Sequence, residues 1–212
     1  MTKYSNNRSF FLVYRCFSCN LAPKIKMTMK NILIAREKEC ERLRACMKSD
    51  QSEFVTVCGR RRVGKTYLIE CFFDHTYDFS YVGGHNLATK VQLRYFGKAL
   101  KKYAKLSKAP VLENWYDAFD ALEEYIETID ADRKKTIFID EMPWIDTQKS
   151  DFVSALENFW NGWANRRGDI VFIASGSATS WMADNIEENQ GGLHARITTK
   201  LYIQPFNLNE TA

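Results

Sequence analysis

The sequence predicts a three-layer α/β/α fold around a central, mostly parallel five-stranded sheet. Two observations and one packing rule predict it. Five short runs favour strands: FVTVC at 54–58, YDFSYVGG at 77–84, TIFID at 136–140, IVFIAS at 170–175 and KLYIQPF at 200–206. Segments with apolar residues at helical spacing separate those runs. Strands that alternate with helices form parallel sheets covered on both faces.

The elements follow in order. Asn31 to Lys48 reads as a helix with Ile32, Ile34, Leu43 and Met47 as its apolar residues and REKECER as charged flanks. The run 54–58 is a short buried strand, and Lys65 to Phe73 reads as a helix that begins at the second glycine of a loop. The strand at 77–84 closes on a glycine turn. Leu87 to Leu106 is helical through Leu93, Phe96, Leu100 and Tyr103, and Trp115 to Ile129 through Phe119, Leu122 and Ile126. Phe152 to Trp163 places Phe152, Leu156, Phe159, Trp160 and Trp163 on one helical face. The chain shows no internal repeat, and its four prolines mark no linker.

Composition sets bounds. With 212 residues and 45% hydrophobic content, the chain is long enough for a real core. Thirty basic and 26 acidic residues give a net charge of +4, which does not by itself imply nucleic acid. No clustered basic stripe with interleaved aromatics is evident, so DNA is an open but unsupported partner. No apolar run approaches the roughly 18 residues that span a bilayer. Residues 1–26 read as a leader or disordered extension, since FFLVY is shorter than the apolar region of about 7–15 residues in a secretory signal. Residues 27–212 then form the domain.

The six cysteines read as reduced thiols of a cytoplasmic protein. Cys16 and Cys19 form a C-x-x-C, but no second pair stands at zinc spacing. Cys40 and Cys46 lie six apart on one helix, and Cys58 and Cys71 sit in apolar patterns as buried thiols. His75, His85 and His194 have no partner constellation and are taken as structural.

The chemistry concentrates in GRRRVGKT, Gly59 to Thr66, which matches G-x-x-x-x-G-K-[ST] between a strand and a helix. Glycines let backbone N–H groups turn inward around phosphate oxygens, and the following helix adds its positive end. Lys65 reaches the β- and γ-phosphates, and Thr66 offers a hydroxyl to Mg²⁺. The nucleotide-contacting run is Gly59, Arg60, Arg61, Arg62, Val63, Gly64, Lys65, Thr66 and Tyr67. The three arginines line the phosphate mouth, meet a partner or are solvated; the last two readings are favoured for most of them.

A phosphate loop needs an acidic residue on a neighbouring strand, because Mg²⁺ takes oxygen ligands. Thr136 to Ile139 lead into Asp140 and Glu141, about 75 residues after Lys65. Asp140 stands at a strand's C-terminal end, where ligands bind in open α/β sheets. It can hold the metal, and Glu141 can take a proton from an attacking water. In SGSATS, Ser175 or Ser177 can bond the γ-phosphate or that water; equally, Ser177 or a neighbour can cap the helix near Ala178. Arg196, after a diglycine, reads as an arginine finger or as a surface ion pair.

Taken in order, GRRRVGKT, FIDEMPW, SGSATSWM and GGLHARITTKLYIQPF resemble the prokaryotic AAA-type ATPases of the STAND-related class, from about residue 30 onward. IAREKECERL resembles the segment that in this family packs near the adenine, which brings Arg36 into the nucleotide-binding set. The resemblance implies an ASCE-type P-loop fold with the catalytic glutamate on the strand beside the phosphate loop. It carries over Lys65, Thr66, Asp140 and Glu141 as Walker A and B residues, Ser175 or Ser177 as the sensor and Arg196 as the finger. Two positions depart from it: alanine stands at Ala35 and Ala195, before Arg36 and Arg196, where glycine is usual. Family members usually continue into a winged-helix region, and often a nuclease-like domain; neither is read in residues 27–212, so the output module is expected to be missing or encoded beyond Ala212.

The expected function is Mg²⁺-dependent ATP hydrolysis by a cytoplasmic ATPase, with a homo-oligomer or a partner protein. The alternatives are a nucleotide switch with little turnover, a DNA-associated ATPase subunit and, more weakly, a small-molecule kinase, for which neither lid nor acceptor pocket is identifiable. A dinucleotide fold is disfavoured because no G-x-G-x-x-G follows a strand.

Overall fold

The computed structural model describes residues 36–177, 179–188, 191–193 and 195–206. They belong to one compact unit, Ile32–Ala212. The expected extension at 1–26, with Cys16 and Cys19, lies outside the described residues, as do Ile32, Ile34, Ala35 and His194.

All five expected strands form: β1 (Glu53–Cys58), β2 (Phe79–Val82), β3 (Lys135–Asp140), β4 (Ile170–Gly176) and β5 (Thr199–Tyr202). They make one sheet in the order β2-β3-β4-β1-β5, and every pairing is parallel. Parallel neighbours need long crossovers, which the helices supply.

Alternate strand residues serve opposite faces. Val55, Val57, Phe138, Val171 and Ile173 pack with α1 (Glu37–Lys48) and α2 (Lys65–Phe72). Phe54, Ile137, Ile139 and Phe172 pack with α3 (Thr89–Tyr103), α4 (Trp115–Glu127) and α5 (Phe152–Phe159). This second layer is aromatic: the Phe54 ring lies 4.9 Å from both Trp160 and Phe172, and Phe119 stacks on Phe159 at 4.9 Å. The result is a three-layer α/β/α architecture.

Ends differ from expectation for local reasons. The helix expected to reach Leu106 stops at Tyr103, and a left-handed Lys105 turns the chain and leaves Leu106 exposed. The last strand ends at Tyr202 and not 206, although Ile203 N still donates to Cys58 O; Pro205 has no N–H to extend the ladder. The helix at 152–163 becomes a π-turn at Trp160–Ala164 before α6 (Asn165–Arg167). That turn keeps Trp160 buried and leaves Trp163 half-buried, where its Nε1 donates to Glu127. Cys40, Cys46 and Cys58 are buried free thiols, while Cys71 is half-buried rather than buried.

Ion pairs tie the end of the sheet opposite the strand C-termini. Asp78 accepts from both terminal nitrogens of Arg133, at 2.6 and 2.8 Å, and from Thr136 N. Asp169 accepts from Arg167 and, with a smaller effect, from Lys135, which together hold its carboxyl down at about 2. On α4 the opposite holds. Burial, then Asp120 and Glu127, push Glu123 up to about 7. A carboxyl raised on folding contributes stability below its unfolded value, near 4.5, and loses it as pH rises through about 7. Glu123→Gln is therefore expected to stabilise the fold at pH 8 by about 1 kcal/mol, after discounting for solvent screening. The gain should vanish at pH 4, as read by thermal melts at the two pH values.

Candidate functional site

The candidate site lies where the strands end. Cys58, Gly176 and Tyr202 stand level across β1, β4 and β5, and Val82 stands level with Asp140. The segments leaving these strands carry the motif residues.

The phosphate loop follows β1 directly. Gly59 has φ +150°, and a Cβ there would lie 2.4 Å from Ile203 O, so the backbone just beyond β5 demands glycine. Gly64 is left-handed at φ 89° and immediately precedes α2. Lys65 is 5% exposed, and its Nζ donates to Gly59 O at 3.0 Å and Arg60 O at 3.1 Å. The loop is thus closed on its own lysine, whose donors stand where an anion would compete for them. Gly59→Ala is expected to cost about 1–3 kcal/mol of backbone strain and to weaken ATP binding at least tenfold. A fluorescent-nucleotide titration beside a thermal melt measures both.

The acid turn answers the loop. Asp140 Oδ2 accepts from Thr66 Oγ1 at 2.7 Å, and its Oδ1 accepts from Glu141 N at 2.9 Å. The expectation that this strand lies beside the phosphate-loop strand is corrected: β4 sits between β1 and β3. The contact forms nonetheless, because Asp140 ends β3 and can lean across the end of β4. Glu141 is left-handed at φ 48°. A Cβ on Gly83 would lie 2.5 Å from Glu141 O, so the loop after β2 approaches the turn too closely for any side chain.

Ser177, and not Ser175, meets the acid turn. Its Oγ donates to Glu141 Oε2 at 2.9 Å. Ser175 is fully buried, with no hydrogen-bond partner for Oγ among the described residues. Arg196 is exposed, and among the described residues no hydrogen bond or ion pair joins it to the loop. Ala195 before it is left-handed at φ 54°, a conformation that costs alanine about 1–2 kcal/mol. Arg36 is 6% exposed and already engaged: Nη2 donates to Gln204 O at 2.6 Å, and the guanidinium lies 4.4 Å from the Phe206 ring. It braces the segment after β5 that flanks Gly59.

Of the remaining loop residues, Arg60, Arg62 and Tyr67 are exposed and Val63 is half-buried. Arg61, also exposed, lies over the Trp144 ring at 5.3 Å. The Trp144 ring also meets the His85 ring, edge to face at 4.9 Å. His85 is therefore a neighbour of the site, as a packing group.

Sequence reasoning missed Gln92. It is fully buried, with Nε2 donating to Gly84 O and Trp144 O and Oε1 accepting from Tyr81 OH and Gly84 N. One amide thus fixes the loop after β2 against the acid turn. The signal was present: a polar residue inside the apolar face of a helix.

A sequence profile described as an ATPase domain predominantly from Archaea matches residues 33–212. The chain belongs to that ATPase family. As a member it is a nucleotide-binding ATPase domain. It is 26% identical over 180 residues to an uncharacterised protein of Methanocaldococcus jannaschii, covering 82% of this chain and 36% of that protein. In fold it is similar to the Walker-type ATPase of Pyrococcus abyssi (17% identity, TM-score 0.60, 84% of this chain and 55% of that one). It is also similar to the ORC2 protein of Aeropyrum pernix in its ADPNP–ADP complexes (17%, TM-score 0.57, 87% and 51%). The chain therefore spans about a third of that curated relative and about half of each solved chain. Among the described residues, no helix is long and apolar enough to cross a membrane.

Proposed function

We propose that this domain binds ATP with Mg²⁺ and hydrolyses it at one site built from the phosphate loop and the acid turn. The observation that carries the reading is the 2.7 Å bond from Thr66 to Asp140, which joins the two halves. Loop N–H groups from Gly59 to Tyr67 and the positive end of α2 cradle the phosphates. Lys65 exchanges its two loop carbonyls for β- and γ-phosphate oxygens.

Thr66 and Asp140 are the residues that would hold the metal. Their donors, a hydroxyl and a carboxylate, fit a hard cation that draws its other ligands from phosphate and water. When bound, the metal neutralises charge on the phosphate oxygens. Glu141 takes the proton of the attacking water, and the Ser177 hydroxyl orients that carboxylate. Ser175, the other sensor candidate, carries a buried hydroxyl without a partner among the described residues.

Membership of the AAA and STAND-related class, a cytoplasmic setting and an oligomer in which Arg196 completes a neighbour's site belong to the same reading. A second reading, a switch with little turnover, draws support from one feature: Lys65 and Glu141 are both already hydrogen-bonded. Mg-ATP turnover measured as protein concentration rises separates the readings. Specific activity that climbs with concentration and falls in Arg196→Ala supports the oligomeric ATPase. ATP binding with negligible turnover at every concentration supports the switch, and failure to bind ATP overturns both.

A further inference from the structure

We propose that the outer face of α3 is a docking surface for the phosphate backbone of a nucleic acid. The proposal is independent of the nucleotide site.

Between Asp78 and Glu113 the chain has no acidic residue and seven basic ones, so the rest of the chain is net acidic. Five of the seven lie within α3: Lys90, Arg94, Lys98, Lys101 and Lys102. At about 100° per residue they fall within roughly a third of the helix circumference. Linear order hid this stripe, and helical periodicity assembles it, which corrects the expectation that no basic stripe with interleaved aromatics exists. Every one of the five is exposed, and among the described residues none has an ion-pair partner.

Ordinary helix chemistry does not account for the stripe. Lys101 and Lys102 suit a helix C-terminus, but Lys90 stands in a first turn that has no acid, at the positive end. Like charges one turn apart, as at 90, 94, 98 and 102, weaken a helix. The opposite face is already committed to the core through Leu93, Phe96 and Leu100. An external polyanion supplies the missing compensation. Tyr95, 43% exposed, adds a ring with Arg94 at 5.6 Å and Lys98 at 5.0 Å. Cations flanking an open ring suit a backbone with bases beside it. A lipid surface would call for an apolar face toward the headgroups, and the apolar face of this helix is buried.

The geometry sets the size. Fifteen residues span about 22 Å, enough for four or five phosphate contacts. The test is fluorescence anisotropy of the full chain with labelled 30-base-pair DNA, a 30-nucleotide single strand and the same strand as RNA. Raising salt from 50 to 150 mM should weaken duplex binding about 50- to 140-fold. The triple variant Arg94→Glu, Lys98→Glu, Lys102→Glu should lower the log–log salt slope by about three while its melt and its ATP affinity stay unchanged. Tyr95→Ala should weaken the single strands more than the duplex. Preference among the three probes identifies which backbone is taken. The proposal fails if the triple variant binds like wild type, or if wild type binds none of the probes at 50 mM salt. It fails equally if the probes go unbound while the triple variant loses self-association in sedimentation, since the face would then meet the acidic α4 of a second copy.

Discussion

Lys65→Ala is expected to weaken ATP binding about 100-fold or more. Lys65 is nearly buried, so its charge faces little competing water. Each hydrogen bond between a charged donor and phosphate contributes about 1.5–3 kcal/mol, and two of them exceed the roughly 2.8 kcal/mol that makes a factor of 100. The fold should tolerate the change. The present partners of Nζ are two loop carbonyls at the end of the sheet, which water can satisfy once the side chain is gone. The measurement is a fluorescent-ATP titration beside a thermal melt. Lost affinity with an unchanged melt is the expected pair. Equal losses in both would mean that Lys65 braces the loop more than it binds nucleotide.

Glu141→Gln should separate binding from chemistry. The amide keeps the shape and can still accept from Ser177, but it cannot take a proton. A general base contributes about 10²- to 10⁴-fold, so turnover should fall by that range while ATP affinity changes less than about threefold. The left-handed backbone at Glu141 adds a second requirement. Whatever occupies this position must be held there by the Gly83 approach and the Gln92 latch. Disturbing either would move the carboxylate without removing it, and should lower turnover with less effect on affinity. Single-turnover phosphate release with the variant and wild type checks the main effect.

The strands and the residues of both halves of the candidate site were legible because each rests on short-range rules. A strand buried on both faces is apolar throughout, and a glycine-bounded lysine loop between strand and helix has few other uses. What stayed hidden depends on the third dimension. The position of β4 between β1 and β3 is a property of crossover connections, and nothing local in IVFIAS marks its neighbours. Choosing between Ser175 and Ser177 needed the pleat: one buries its hydroxyl at the end of β4 and the other, beyond the strand, reaches Glu141. Arg36 was placed near the nucleotide by resemblance, whereas its bond to Gln204 O depends on how the segment after β5 returns past α1. The basic face of α3 needed the helix to be wound before its lysines aligned.

The central claim is that Asp140 and the phosphate loop, which stand on strands separated by β4, act as one metal–nucleotide site. The most direct test is ATP affinity with and without Mg²⁺, in wild type and in Asp140→Asn. The account predicts that Mg²⁺ tightens ATP at least about tenfold in wild type, and that this gain largely disappears in the variant while metal-free affinity is little changed. An equal Mg²⁺ effect in both proteins would contradict it, and would place the metal away from the contact between Thr66 and Asp140.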